Sequence, residues 1–461
     1  MKIVVCVRQS TAGELNPFDA CAYEAALRVS GAEVTLLSMG PPSVEGFLQN
    51  LTRLGAQHAV LLTDRAFAGA DTLATAYTLS LAMDKLQPDL IFCGRQTVDG
   101  DTGQVGPALS VLTGASLIPN VMQITAGDAA VTCIDRDGKT VSAPYPALLT
   151  VERINTLRLP RLRSKEAPVE VWDASTLNAD PSRCGLAGSP TRVMKTFEND
   201  QDRRRCTFIQ PTELSAVIAN ALQKGKQRVT PVTNGSAKLK RVWIVGEAPR
   251  EMAQTVSDDI TVVPLEEPAV MADKIRAAQP EVVLWASDRR SKAVAPQVAT
   301  LLQTGLCADC TALETDGEEL FMYRPAFSGN IIAKIRCTTR PQMATVRTLQ
   351  PDVAPIMVGF GMGVKPYMDR AKAFADSLNA ETAASRLMVD HDYMPYEAQV
   401  GLTGKTVNPD VYIALGISGA VHHIAGIRQS GTVIAVNSDP KAPVFNYADY
   451  GIVCDVQEIL P

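Results

Sequence analysis

No stretch of this sequence approaches the roughly 18 uninterrupted apolar residues of a membrane helix, which argues against a membrane span. Basic residues are not in excess either: 44 Lys and Arg stand against 49 Asp and Glu, a formal net charge of −5. Nothing is left over to neutralise phosphates, so nucleic acid is a poor candidate for the main partner. A secretory leader is not legible. Met1 opens directly into Lys2-Ile3-Val4-Val5-Cys6-Val7, a buried-strand pattern without a cleavage site. The expectation is a cytoplasmic protein.

The ten cysteines lack a metal-site pattern, and Cys6, Cys93 and Cys454 sit in apolar runs as reduced thiols packed like small hydrophobes. Cys307-Ala-Asp-Cys310 has redox or metal spacing. No second pair or nearby His completes the about four ligands of a zinc or iron–sulfur site, so the pair reads as structural.

What is present is enough for two or three globular domains: 461 residues, 46% hydrophobic and 20% charged. Short apolar runs at residues 3–7, 34–39, 58–62 and 90–93 alternate with helical patterns at 20–29, 44–54 and 71–86. That grammar predicts right-handed βαβ units and a mostly parallel sheet. It returns later in the chain. Gln87-Pro88-Asp89-Leu90-Ile91-Phe92 is similar to Gln279-Pro280-Glu281-Val282-Val283-Leu284, and Gln104-Val105-Gly106 to Gln297-Val298-Ala299. Two domains of related α/β fold follow from this repeat, with chance as the alternative. Between the copies lies an arginine-rich stretch, residues 153–210, with few periodic segments, and Pro231 to Lys240 reads as a linker. A third α/β unit starts near Ile356.

The third unit carries the richest stretch, Gly416-Ile417-Ser418-Gly419-Ala420-Val421-His422-His423, between a strand and a probable helix. Glycines there let the backbone approach a ligand, and free N–H groups can bind phosphate. Upstream is the polar loop Gln399-Val400-Gly401-Leu402-Thr403-Gly404-Lys405-Thr406; downstream, Asn437-Ser438-Asp439-Pro440 follows another strand. Carboxyl ends of strands are where open α/β sheets bind ligands.

In order, Ala384-Ser385-Arg386, residues 399–407, Gly416 to His423, Asn437 to Pro440 and Ala448-Asp449-Tyr450-Gly451-Ile452-Val453 resemble the FAD domain of the electron transfer flavoprotein α subunit. Residues 240–347 resemble the N-terminal domain of that subunit, through Arg324-Pro325-Ala326-Phe327 and Arg340-Pro341-Gln342-Met343-Ala344-Thr345-Val346-Arg347. Residues 1–200 are similar to the β subunit, through Asn16-Pro17-Phe18-Asp19-Ala20, Cys93-Gly94-Arg95-Gln96, Asp99 to Pro107 and Gly185-Leu186-Ala187-Gly188-Ser189-Pro190-Thr191-Arg192. The chain thus resembles β fused to α.

The resemblance implies a multi-domain α/β fold, with two related doubly wound parallel-sheet nucleotide-binding-like domains and a C-terminal α/β FAD domain. The expected layout is a β-like FAD or AMP domain at 1–200, an arm and linker at 201–239, an α-like N-terminal domain at 240–350 and the FAD-binding domain at 351–461. Toward FAD it implies that Arg386 lies near the flavin ring and favours its reduced, negatively charged form. His423 would donate to the N1/O2 edge, and Thr403 would stand near N5. Val400, Gly401, Ser418 and the backbone of Gly419, Ala420 and Val421 would hold the ribityl–phosphate portion. Ser385 would contact the cofactor, with a turn cap as its alternative. Asn437 and Asp455 would reach the adenosine end. Each of these has an alternative as a turn, cap or surface residue.

Three positions depart from the family pattern. Met362 stands where Arg is usual, Leu402 replaces a Gln, and His422 replaces a Gln beside His423, as a second ring near the flavin or a solvent-facing residue. In the β-like part, the resemblance implies a second nucleotide held by Asp99, Asp101, Thr102, Gly103, Gln104 and Val105, with Cys6, Met39 and Gly40 lining the same site. Simple members hold AMP there. The Asp-Gly-Asp-Thr-x-Gln-Val-Gly-Pro form resembles members with a second FAD, which oxidise NADH and split the electron pair between a high-potential acceptor and ferredoxin or flavodoxin. The alternative is a single-FAD, AMP-containing shuttle from an acyl-CoA dehydrogenase to a quinone-linked oxidoreductase. A third reading is a nucleotide-binding module that has lost its flavin. Family members swivel their FAD domain on linkers, which would place a pivot near residues 350–358, with Pro351 and Pro355.

Overall fold

The structure is a computed structural model and describes every residue except 12, 153–155, 162, 199–203, 225–237, 327–330, 348–353, 402, 403, 406 and 429, together with the side chains of Glu198 and Val421. Residues 231–237 of the linker expected at 231–240, and 350–353 of the pivot expected near 350–358, lie outside the described residues. The chain divides into two compact units. Unit 1 holds Met1–Phe197, Pro231–Phe327 and Ile332–Thr348; unit 2 holds Glu198–Thr230, Ser328–Ile331 and Leu349–Pro461.

Unit 1 begins with β1 (Lys2–Cys6), β2 (Glu33–Met39), β3 (His58–Leu62), β4 (Leu90–Gly94), β5 (Ser116–Ala126), β6 (Ala130–Asp135), β7 (Thr140–Pro144), β8 (Ala147–Val151) and β9 (Val169–Trp172). They form one sheet in the order β7-β6-β5-β8-β4-β1-β2-β3-β9. It is parallel from β5 to β9, with β6 and β7 added antiparallel. Helices α1 (Pro17–Arg28), α2 (Glu45–Thr52), α3 (Thr72–Leu86) and α4 (Val105–Thr113) connect the parallel strands. Their starts are encoded locally. Pro17 opens α1, and Asp71 caps α3 by accepting from the amides of Leu73 and Ala74. The apolar runs are continuous because both faces of the sheet are covered. Ile3, Val5 and Val7 pack with Ala22 and Tyr23 of α1, while Val4 faces Tyr77 of α3 and Leu109 of α4.

The chain continues through β10 (Thr191–Glu198), then β11 (Thr207–Phe208) and α5 (Leu214–Lys224), the last two in unit 2. Back in unit 1 come β12 (Val242–Val245), α6 (Arg250–Val256), β13 (Ile260–Val263), α7 (Pro268–Ala278), β14 (Val282–Ala286), α8 (Arg289–Leu302) and β15 (Leu306–Cys310). After β16 (Ala312–Thr315), β17 (Leu320–Ala326) and β18 (Ile331–Cys337) comes β19 (Gln342–Val346). The parallel order β13-β12-β14-β19-β15 reproduces β2-β1-β4-β8-β5. The repeated Gln-Pro has one job in both copies. Gln87 and Gln279 each end a helix in the left-handed conformation at φ 47°, bonding back to Met83 and Ile275 carbonyls at 2.8 Å. Helices α4 and α8 of the two copies pack on each other. A separate four-stranded sheet runs β10-β18-β17-β16.

Unit 2 is a six-stranded, all-parallel sheet, β11-β24-β23-β22-β20-β21, in which β20 is Ile356–Phe360, β21 Glu381–Ala384, β22 Val411–Leu415, β23 Thr432–Asn437 and β24 Tyr450–Val453. Its helices are α9 (Met368–Ser377), α10 (Arg386–Asp390) and α11 (Val421–Ile427). Helix α5 also belongs to this unit, burying Leu214, Ile218 and Ala221 in one core with Val358 and Leu415. Arg204, from the arginine-rich stretch, pairs with Asp449 and donates to the carbonyls of Gly431 (2.9 Å) and Ser430 (2.6 Å). Among the described residues no helix is long and apolar enough to cross a membrane.

Candidate functional site

In unit 2 the chain leaves β20 for the edge strand β21 and returns to β22 on the other side of β20. Strand order reverses at the carboxyl ends of β20 and β22, the place where open α/β sheets form a ligand crevice. The two loops there meet, the amide of Gly363 donating to the Gly416 carbonyl at 3.4 Å. The turn 416–420 needs glycine at 419. Its φ is +90°, and a Cβ would stand 2.1 Å from the Val444 amide nitrogen.

The same sheet edge gathers Ser385 after β21, Ser418 to His423 after β22 and Asn437 after β23. The segment with Val400 and Gly401 is docked beside them. Val400 donates to the Ala384 carbonyl at 2.9 Å, and Val407 to that of Gly426 at 2.8 Å. Leu402 and Thr403 lie outside the described residues. Ser418, Ala420 and His422 are exposed. Ser385 is half-buried and starts α10, where Arg386 is exposed and pairs with Asp390 at 3.2 Å. Met362 is half-buried and packs on the core of unit 2. Asn437 is committed to its turn, donating to the Ile417 carbonyl and accepting from the Asp439 amide, each at 2.9 Å. Asp455, after β24, caps the following turn through the Gln457 amide.

His423 differs from these. It is buried on α11, with Nε2 3.0 Å from the Tyr412 hydroxyl. Burial pushes its pKa down to about 4, against a smaller upward pull from the Val400 main chain, so the ring is neutral at pH 7. Its Nδ1 is buried without a hydrogen-bond partner among the described residues. A buried ring nitrogen left open beside a glycine-rich crevice fits a flavin, which offers hydrogen-bonding atoms along its N1/O2 edge.

Unit 1 has a comparable switch point between β1 and β4, since β2 and β3 lie to one side of β1 and β4 to the other. Cys6 ends β1, Met39 ends β2 with Gly40 next, and the loop with Asp99 to Val105 follows β4. Asp99 is buried and pairs with Arg8 at 3.6 Å. Asp101 and Gly103 adopt positive φ, 53° and 64°. The half-buried Thr102 lies between them. The loop is fastened to the α-like part. Gln104 donates to the Leu306 carbonyl at 3.2 Å, and Arg324 donates to that of Gly100 at 2.7 Å. Behind it Arg347 binds Asp309, and Lys292 stands 3.5 Å from the same carboxylate. Burial pushes Asp309 up, but Arg347 and Lys292 more than offset it and hold the carboxyl well below its usual range. Burial, with Asp309 beside it, raises Asp101 despite Arg324, Arg347 and Lys292.

Sequence reasoning missed this cluster, whose members lie some two hundred positions from the loop. It also missed the role of Asp19, which accepts from the Arg8 amide at 2.8 Å and whose pKa burial raises to about 7. An acid in the first turn of a helix with an apolar face was the available signal. Cys307 and Cys310 are both buried on β15. No group of three or more His, Cys, Asp or Glu is arranged to hold a metal among the described residues.

Comparison with known proteins bears on both crevices. The electron transfer flavoprotein domain matches residues 3–177 and 208–364, and the electron transfer flavoprotein FAD-binding domain matches 352–428. The electron transfer flavoprotein subunit alpha of Thermoanaerobacterium thermosaccharolyticum is 38% identical over 229 residues, 40% of this chain and 69% of the relative. The subunit beta of Clostridium acetobutylicum is 40% identical over 232 residues, 47% of this chain and 89% of the relative. Lactate dehydrogenase (NAD(+),ferredoxin) subunit LctC of Acetobacterium woodii is 36% identical over 237 residues, 42% of this chain and 57% of the relative. The repeated α/β halves, the FAD-binding domain and relatives among both subunits converge: the chain belongs to the electron transfer flavoprotein family, with β-like and α-like parts in one polypeptide.

Proposed function

We propose that this chain oxidises NADH at the crevice of unit 1 and divides the electron pair between a high-potential acceptor and ferredoxin or flavodoxin. The observation that carries the reading is the loop Asp99 to Val105, placed at the β1/β4 switch point and fastened there by Gln104 and Arg324. Its glycine-opened amides suit a pyrophosphate, and Cys6, Met39 and Gly40 would line the same crevice. The printed name of the relative LctC, with NAD(+) and ferredoxin, supports the same chemistry.

FAD, when bound, supplies the conversion between hydride transfer and one-electron transfer. The chain's residues bind and orient it. In unit 2, Val400, Gly401, Ser418, Gly419, Ala420 and Val421 would hold the ribityl–phosphate portion and Asn437 and Asp455 the adenosine end, while Arg386 would lie near the ring and Ser385 would contact the cofactor. Thr403 and Leu402 belong to the same loop, and His422 borders it. A neutral His423 that accepts the Tyr412 hydroxyl at Nε2 would carry its proton at Nδ1 and could offer it to the ring edge. Arg386 would add positive charge where electron density gathers. Under anaerobic conditions, stoichiometric NADH should bleach the flavin absorbance; an unchanged spectrum would remove NADH from the scheme.

A second reading has support in the relatives named simply as alpha and beta subunits. In it the unit 1 crevice holds AMP, and the chain shuttles electrons from an acyl-CoA dehydrogenase to a quinone-linked oxidoreductase. Tightly bound AMP in the purified protein favours that version.

A further inference from the structure

Apart from both crevices, unit 1 contains a cleft of about 210 Å³. One wall comes from α3, α4 and the segment around residues 182–192; the other comes from Gln303, Thr338 and Thr339. It shares no residue with the loop at 99–105, and no acidic side chain lines it.

Two arginines face this space. Arg192 has a buried Nη1 with no hydrogen-bond partner among the described residues. In Arg324 and Arg336 the buried nitrogen without a partner among the described residues is Nε, whereas in Arg192 it is a terminal nitrogen. A buried charged donor without an acceptor is costly, and an anion that draws the Arg192 guanidinium into the cleft removes that cost. Arg183 is exposed at the rim. Its guanidinium carbon lies 4.0 Å from the Tyr77 ring centroid, and Nη2 is 3.5 Å from the Gln303 side-chain oxygen. Stacking on Tyr77 orients the guanidinium fork.

The carboxylates next to these segments, Asp71 and Asp180, accept hydrogen bonds from neighbouring neutral groups. Asp71 accepts from the amides of Leu73, Ala74 and Thr191 and from the Thr191 hydroxyl. Asp180 accepts from the amide and hydroxyl of Ser182.

We propose that this cleft is a binding site for a compact oxyanion, the phosphate group of a small phosphorylated molecule. Arg192 anchors it from the floor and Arg183 closes over it from the rim. The volume suits a phosphate with a short organic tail and falls below the roughly 300–1,000 Å³ of sites for larger ligands. Because the two walls come from the β-like and α-like parts of unit 1, an occupant ties them together and stabilises the folded unit.

The test is thermal unfolding of the full chain followed by tryptophan fluorescence, with inorganic phosphate against chloride at equal ionic strength. All three tryptophans, Trp172, Trp243 and Trp285, lie in unit 1. Phosphate should raise the midpoint saturably. Arg192→Met should weaken that response about tenfold or more, as expected for loss of a charged hydrogen bond. Arg183→Met, at an exposed position, should weaken it less and serves where Arg192→Met does not fold. No phosphate-specific rise, or the same rise at the same concentrations in both variants, would overturn the proposal, the second by placing the ion elsewhere.

Discussion

The Tyr412 hydroxyl lies 3.0 Å from Nε2 of His423, and both side chains are buried. Burial raises the Tyr412 pKa far above the usual range and lowers that of His423 to about 4, so both are neutral at pH 7. A phenol that keeps its proton can donate to Nε2, which leaves the imidazole hydrogen on Nδ1, the atom without a partner. With the bond in that direction, the pair would hold His423 in the tautomer that presents Nδ1–H to the flavin proposed for this crevice.

The first prediction follows from that pair. His423 should stay neutral down to about pH 4, and a lowered histidine pKa contributes stability above the unfolded value near 6.5 that is lost as pH falls toward 4. Nitrogen-15 NMR of the four histidines would show it. A titration of His423 near 6.5 would mean that the ring is open to solvent.

A second prediction concerns the strand beneath. A Cβ at Gly359 would sit 1.9 Å from the Tyr412 hydroxyl oxygen. Gly359→Ala should destabilise unit 2 by about 1–3 kcal/mol through overpacking. In a Tyr412→Val background the added cost should shrink. Full additivity of the two changes would show that they do not share the space.

Asp19 gives a pH dependence of opposite sign in unit 1. Its pKa is raised from 3.8 to about 7, so stability is full below about pH 3.8 and is lost as pH rises toward 7. Denaturation followed by tryptophan fluorescence should show unit 1 weakening over that window. Asp19→Asn should flatten the slope; an unaltered slope would assign it to other groups.

The arginine-rich stretch supplies a fourth. Arg204→Met removes the ion pair to Asp449 and the bonds to the Gly431 and Ser430 carbonyls. Unit 2 should lose about 2 kcal/mol. Its unfolding, read through flavin release, should shift while the tryptophan transition of unit 1 stays in place.

Much of the fold was legible because it is encoded locally. Strands such as Ile3 to Val7 are buried on both faces and read as unbroken apolar runs, and the Gln-Pro repeat marks the same helix end in both copies. The hairpin of β6 and β7 and the sheet of β16, β17 and β18 were not, since their pairing depends on partners elsewhere in the fold. The arm and linker expected at 201–239 includes α5, which places Leu214, Ile218 and Ala221 in the core of unit 2. At the candidate site, glycines and motif order pointed to the crevices. The couplings of Tyr412 with His423, and of Arg324 and Arg347 with the 99–105 loop, depend on folding and leave no local trace.

The most direct test of the account is to denature the purified chain and count the nucleotides released per polypeptide by chromatography. The account predicts two FAD and no AMP, one flavin for each crevice. One FAD with one AMP would contradict it and leave a simple electron shuttle.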